Sequence, residues 1–254
     1  PEMDFSNSFA IRSDVLAALH DRSAYAASTE TSRPVLAGAY WEIGDVGMIM
    51  VATDGHRLAR ASMAPKTATA DEFRGVIVPP KALAQAVRLF ETEENIQVAT
   101  TENHICFKGT NALVLSRLIE GPYPHYRQVI PQNGDKIAEL DKQEFVQAIR
   151  RMSVLASNLT HRIALHFQPG TLRISVETPD LGEAEEQMTV EYQGDPIDIG
   201  FNAVYLLEAI KHIETERLRI AMNHPERAAV ITPVHGDEEA KIDYTAVIMP
   251  LRLH

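Results

Sequence analysis

Two halves of this chain repeat one another at a slowly drifting offset, and that repeat constrains the fold more than any other feature of the sequence. Val51, Thr53 and Met63 correspond to Val176, Thr178 and Met188 at a single offset of 125. Upstream, YAAS at 25–28 corresponds to VLAS at 154–157, an offset of 129. Downstream, Ile77 matches Ile199, and Ile96 and Val98 match Leu218 and Ile220, at an offset of 122. A smooth drift of this kind is what a duplicated domain with loops of unequal length produces.

The order of elements repeats as well. In the first half, 13–27 has helical spacing, with Ser13 or Asp14 placed to cap it. The strand-like runs VLAGAYWEI, GMIMVATD and RLARASM follow. VIVPPKALAQAVRLF then reads as a short strand, a proline step and a second helix, and NIQVAT, HICFKG and NALVLSRLI as three more strands. In the second half, 141–157 places Phe145, Ile149, Met152 and Ala156 on one helical face. RIALHF, TLRISVET and AEEQMTVEY are strands, IDIGFNAVYLLEAIKHIE a strand leading into a helix, and RLRIAMN, AAVITP and YTAVIMPLRL close the pattern. The prediction is an α+β fold of two repeated domains, each a pair of helices packed on antiparallel sheets. The Pro- and Gly-rich stretch GPYPHYRQVIPQNGDK supplies the junction, giving domains 1–128 and 129–254.

Composition narrows the function. A chain of 254 residues with 45% hydrophobic and 23% charged residues is that of a soluble globular protein. No apolar run approaches the roughly 20 residues of a membrane helix, and no charged start followed by an apolar segment marks a secretory leader. The sequence begins at Pro1, so a preceding segment is expected. The one cysteine, Cys106, alternates with His104 and Lys108 along a predicted strand and reads as a buried, inert thiol suited to a reducing cytoplasm. The ten histidines form no helical metal pair; His161 and His166 are expected on opposite faces of a strand, and no metal site or cofactor is predicted. No nucleotide-binding glycine loop or nucleophile elbow is present. The net charge of −11 argues against a protein that grips nucleic acid through a broad basic face.

What remains is TDGHR at 53–57. Asp54 followed by Gly55 is a tight-turn pair, with Gly55 free to take positive φ. An Asp54/His56 pair, with His125 as a further group, is the only hydrolase candidate, and no orienting partner or oxyanion donor accompanies it.

VATDGHRLA, GPYPHYRQVIP and VIMPLRL, in this order, resemble the bacterial DNA polymerase III beta subunit family, the sliding clamps. The resemblance runs through the whole chain but covers only the family's second and third domains. It implies a non-enzymatic ring, a homodimer when three domains are present. Such a ring encircles duplex DNA without sequence preference, tethers the polymerase and confers processivity in the cytoplasm. It further implies a docking pocket for short linear motifs of polymerase, clamp loader and other clamp-binding proteins. Carried over position by position, the pocket residues are Val35, Leu36, Thr53, Gly55, His56, Arg57, Leu58, Pro124, Val129, Tyr205, Val247, Met249, Pro250, Leu251 and Arg252. Leu, Val, Pro and Met would supply an apolar groove with His and Arg at its rim. Val154 and Leu155 match the family's dimer interface.

The helices would face the DNA through Arg22, Lys81, Arg88, Lys142, Arg150, Arg151 and Lys211. Asp14, Asp21, Glu91, Asp141, Glu144, Glu208 and Glu214 balance them, so the helical segments are neutral and the rest of the chain carries the whole −11. A ring held topologically needs little phosphate affinity, and strong contacts would hinder sliding. Two departures stand out: Gln128 sits where relatives often carry a basic residue, and His254 extends past the usual RL.

Overall fold

The computed structural model describes all residues except 1–4, 6–7, 31, 66, 180, 237–241 and 254; His254 therefore lies outside the described residues. The chain divides into two compact units, Pro1–Pro124 with Lys241–Tyr244, and His125–Ala240 with Thr245–His254.

The first unit contains β1 (Phe9–Arg12), α1 (Ser13–Asp21), β2 (Ala39–Gly44), β3 (Gly47–Thr53), β4 (Arg57–Ser62), β5 (Arg74–Val78), α2 (Pro80–Leu89), β6 (Asn95–Thr100), β7 (His104–Lys108) and β8 (Leu113–Arg117). Its strands hydrogen-bond in the orders β1-β6-β7-β8 and β5-β2-β3-β4, with each of these neighbours antiparallel. The second unit contains β9 (Lys136–Asp141), α3 (Lys142–Ser153), β10 (Arg162–Gln168), β11 (Thr171–Thr178), β12 (Gly182–Thr189), β13 (Glu191–Gln193), β14 (Ile197–Asn202), α4 (Ala203–Lys211), β15 (Arg217–Met222), β16 (Ala229–Pro233) and β17 (Asp243–Ile248). Here the orders are β9-β15-β16-β17, with β13 added on β9, and β14-β10-β11-β12.

The two strand plans are the same. The residues that repeat in sequence fall at corresponding places: Val51 on β3 and Val176 on β11, Ile77 on β5 and Ile199 on β14, Ile96 on β6 and Leu218 on β15, all six buried. This is an α+β fold in which helix pairs pack on antiparallel sheets, α1 on α2 and α3 on α4.

Alternation builds each core. Along β10, Ile163, Leu165 and Phe167 are buried while Arg162 and Gln168 stand in solvent, the period of two that a strand imposes. In the first unit Trp41 on β2 is fully covered. It stacks on Phe107 of β7 at 6.3 Å and meets the edge of Phe9 at 6.0 Å, so the aromatic pair joins the inner faces of the two strand groups. Cys106 is buried, and burial pushes its thiol up from the usual range.

Helix starts differ from the expectation in one case. α3 is capped by Asp141, which accepts from the Glu144 amide at 2.7 Å, and α4 by Asn202, which accepts from Val204 and Tyr205. α1 is not capped by Ser13 or Asp14: its first flanking residue is Arg12, and the Ser13 hydroxyl is buried without a partner. Asp14 instead pairs with Arg12. The predicted first helix also stops at Asp21, with a short 3-10 turn at Ala24–Ala26 in place of its last residues. Likewise VLAGAYWEI is not one strand, because Pro34 opens a 3-10 turn over Pro34–Ala37 before β2 begins. His161 precedes β10 with φ 49°, so it is a turn residue and shares no strand with His166.

Candidate functional site

The TDGHR turn between β3 and β4 is tied to itself. The Thr53 hydroxyl donates to the Arg57 carbonyl at 2.6 Å and accepts from the Gly55 amide at 3.1 Å. Asp54 Oδ1 accepts from the amides of His56 at 2.8 Å and Arg57 at 3.0 Å, while Oδ2 takes the Arg57 Nε at 3.1 Å. Gly55 has φ 93°, a conformation that costs an L side chain steric strain and costs glycine little. Arg57 is held further by the Tyr25 carbonyl at 3.1 Å and by the Tyr25 ring 5.5 Å away. Tyr25 in turn meets the Tyr244 hydroxyl at 2.7 Å. Burial drives the Tyr244 hydroxyl well above its ordinary pKa.

This geometry gives the hydrolase candidate no support. Asp54 bonds the backbone of His56, not its ring, and both oxygens serve the turn. His56 and His125 are exposed residues. A general base needs an orienting partner on its ring, and Asp54 does not provide it.

The other proposed docking residues of the first unit lie nearby in sequence or pairing. Leu58, the second residue of β4, lies opposite Thr53 and is buried at 3% exposure, so it offers little surface of its own. Leu36 is buried in the 3-10 turn, its carbonyl accepting from the Ser28 amide at 2.8 Å, while Val35 is half-buried. Pro124 is exposed and follows Tyr123, which stacks on Tyr40 with centroids 4.7 Å apart. Burial raises the Tyr123 hydroxyl above its ordinary range.

In the second unit the C-terminal run leaves β17 as a tail. Val247 is buried in the ladder opposite Val230, whereas Met249 is 43% exposed and Pro250 half-buried. The tail is strapped to β14: the Leu251 amide donates to the Gly200 carbonyl at 2.8 Å, and Arg162 donates to the Arg252 carbonyl at 2.8 Å. Only glycine fits at 200, since a Cβ there would stand 2.5 Å from the Leu251 carbonyl oxygen. Tyr205 sits half-buried in the first turn of α4, and Val129 follows the 3-10 turn at Tyr126–Gln128 with 60% exposure. The sequence reading missed Asn202, which fixes the start of the helix bearing Tyr205. An Asn just ahead of a helical run is the capping signal that finds it.

The basic residues assigned to the helices do not form one class. Lys81, Arg88, Arg150 and Lys211 are exposed. Arg151 is committed to Glu186 of β12, Arg22 donates to the Ile242 carbonyl at 3.1 Å, and Lys142 donates to the Ile213 carbonyl at 2.9 Å. Those three hold their own unit together: Arg151 is neutralised by Glu186, while Arg22 and Lys142 keep their charge but are positioned by the carbonyls they bind. Val154 stands out at 78% exposure; Leu155 is half-buried, its carbonyl accepting from Thr178 at 2.6 Å.

Family models of the DNA polymerase III beta subunit match in succession, the central domain over 10–125 and the C-terminal domain over 127–252. The beta sliding clamp of Caulobacter vibrioides is 34% identical over 254 residues, covering 98% of this chain and 66% of that protein. The beta sliding clamp of Pseudomonas aeruginosa is 32% identical over 249 residues, with 98% of this chain and 66% of that protein covered. The chain thus spans about two thirds of the length of these relatives. Among solved structures, the Pseudomonas aeruginosa clamp bound to griselimycin superposes with a TM-score of 0.90 at 32% identity over 99% of this chain and 67% of that one. The Bacillus subtilis clamp superposes with a TM-score of 0.89 at 28% identity over 100% and 66%. With a duplicated strand plan, the TDGHR turn, the strapped tail and both domain models in register, this chain belongs to the DNA polymerase III beta subunit family, the bacterial sliding clamps.

Proposed function

We propose that the chain acts as the central and C-terminal domains of a sliding clamp, divided near residues 128 and 129, in the cytoplasm. The whole clamp surrounds duplex DNA and keeps polymerase and other replication or repair proteins on it. It performs no chemistry of its own. Partners attach by short peptides with Leu and Phe anchors, held by the apolar residues of the turn region and the tail, Met249 foremost. Val154 and Leu155 take part in ring closure when a third domain is present.

The observation that carries this reading is the tail of the second unit, which holds Met249 43% exposed on a segment strapped through Leu251 to Gly200, while the turn of the first unit is a separate, self-satisfied surface. A preorganised wall costs little entropy when a ligand arrives, and methionine adapts to several side chains. A relative crystallised with griselimycin supports ligand binding by this fold.

The test is titration of the chain with a fluorescently labelled peptide carrying those anchors. Saturable binding in the micromolar range is expected, weakened about tenfold by Met249→Ala, a hot-spot-sized loss of roughly 1.4 kcal/mol. Absence of saturation at high micromolar peptide overturns the reading. A clamp that fails to remain on nicked circular DNA, assayed with the full three-domain protein, overturns the DNA part alone.

A further inference from the structure

A cavity of about 500 Å3 lies within the second unit, beside the C-terminal tail and on the face of the strands that points away from the core. Its floor is a hydrogen-bonded array across three strands. His166 on β10 faces Asp198 on β14 in direct register; its Nδ1 meets Asp198 Oδ1 at 2.8 Å and its Nε2 meets the Ser175 hydroxyl of β11 at 2.8 Å. The connectivity is that of a hydrolytic triad, but two features set it apart. β11 is paired on both sides, so its backbone N–H groups are spent in the ladders and leave no oxyanion donor. Asp198 is 67% exposed, where a triad buries its carboxylate.

The array therefore binds rather than reacts, and its polarity says what it binds. Asp198 and the Ser175 hydroxyl thus engage both ring nitrogens of His166 within the array. The array turns the Ser175 hydroxyl and the second Asp198 oxygen to the cavity. Glu177 and Glu226 add two carboxylates to the lining. Against these three carboxylates stand two guanidiniums, Arg162, which donates to the Arg252 carbonyl, and Arg252, 3.6 Å from Glu226, so the lining keeps a net charge of −1. Leu251, Leu253 and Pro225 supply an aliphatic wall. A donor head on an aliphatic stem satisfies both parts. Leu251 and Arg252 also belong to the proposed docking residues, so the cavity continues that site along the tail.

We propose that this cavity is an accessory docking subsite that takes a lysine or arginine side chain from the segment flanking a partner's anchoring peptide. The proposal rests on the peptide-docking reading above and adds a charge preference to it.

The experiment compares four labelled extensions of the anchor peptide, with lysine-bearing or glutamate-bearing segments at either end, on the 254-residue chain. One lysine extension is expected to tighten binding about fivefold, the size of a partly exposed charge contact, with the gain shrinking as salt rises. The matching glutamate extension is expected to give no gain. The double variant Glu177→Gln, Asp198→Asn keeps an acceptor for His166 and is expected to abolish the gain while leaving the unextended peptide's affinity unchanged. If the unextended peptide binds and neither lysine extension improves it, or if the gain survives the double variant, the subsite is wrong while the docking reading stands. If the unextended peptide does not bind, both fall. Covalent labelling of Ser175 by a fluorophosphonate would assign the array to catalysis and overturn the proposal.

Discussion

Replacing Asp54 separates the two jobs its carboxylate performs. Oδ1 accepts from two backbone amides and Oδ2 holds Arg57, whose side chain is 12% exposed against 15% for Asp54. Asp54→Ala removes all three bonds. Two turn hydrogen bonds account for about 1 kcal/mol each, and a mostly covered guanidinium loses one of its partners at a further cost of about 1 kcal/mol, since Tyr25 still holds it. The expected loss is about 3 kcal/mol. Asp54→Asn keeps the acceptor for the amides but turns an NH2 toward Arg57, and about 1.5 kcal/mol should go. The assay is urea unfolding followed by tryptophan fluorescence. The chain has one tryptophan, Trp41, fully buried in the same unit as the turn, so the signal reports that unit alone. An Asp54→Ala protein within about 0.5 kcal/mol of the parent, or an Asn variant as damaged as the Ala variant, would refute the view that the turn is held by its own side chains.

Three further outcomes follow from the same geometry. Tyr192, raised to about 12, and Tyr123 and Tyr244, raised by burial, stay neutral in the folded protein while their unfolded counterparts ionise near the ordinary value of about 10. The folded state then binds more protons, so the contribution of these tyrosines to stability is constant below about pH 10 and falls as pH rises from 10 toward 12. Phenolate absorbance should show these three of the seven tyrosines titrating only with unfolding. Gly200→Ala places a Cβ 2.5 Å from the Leu251 carbonyl and 2.8 Å from Leu253, and is expected to displace the tail at a cost of about 1–3 kcal/mol. It should weaken anchor-peptide binding more than Arg162→Ala, which removes a single bond to the tail. On DNA, Lys81→Ala and Arg88→Ala should each lower the salt dependence of association by a slope of about 0.9, whereas Arg151→Ala should leave it unchanged because its guanidinium is occupied by Glu186. Equal effects from all three would show that Arg151 is free.

The duplication was legible because it rests on buried positions. Val51, Ile77 and Ile96 and their counterparts are covered on matching strands, and burial constrains residue type strongly. The caps at Asp141 and Asn202 follow from residue chemistry, but α1 begins without one, since tertiary packing covers Ser13 at 7% exposure and leaves its hydroxyl no amide to receive. The roles of the basic residues were not legible. Arg151 and Arg150 are neighbours with the same side chain, and only the placement of Glu186 on β12 separates a committed charge from a free one. The His166 array escaped notice for a similar reason: its three members come from three strands, and cross-strand register is invisible until pairing is known.

Because Thr53, Asp54 and Arg57 consume their polar groups on their own turn, the turn is left with little hydrogen-bonding vocabulary for a visitor. In the proposed docking role, selection there rests on contour and on carbon area, which discriminate among similar anchors by only modest factors. Such a surface suits a shared socket for many clients, each ranked by how well its flanks fit beyond the anchor, and it would be comparatively tolerant of polar drift in the motifs that visit it.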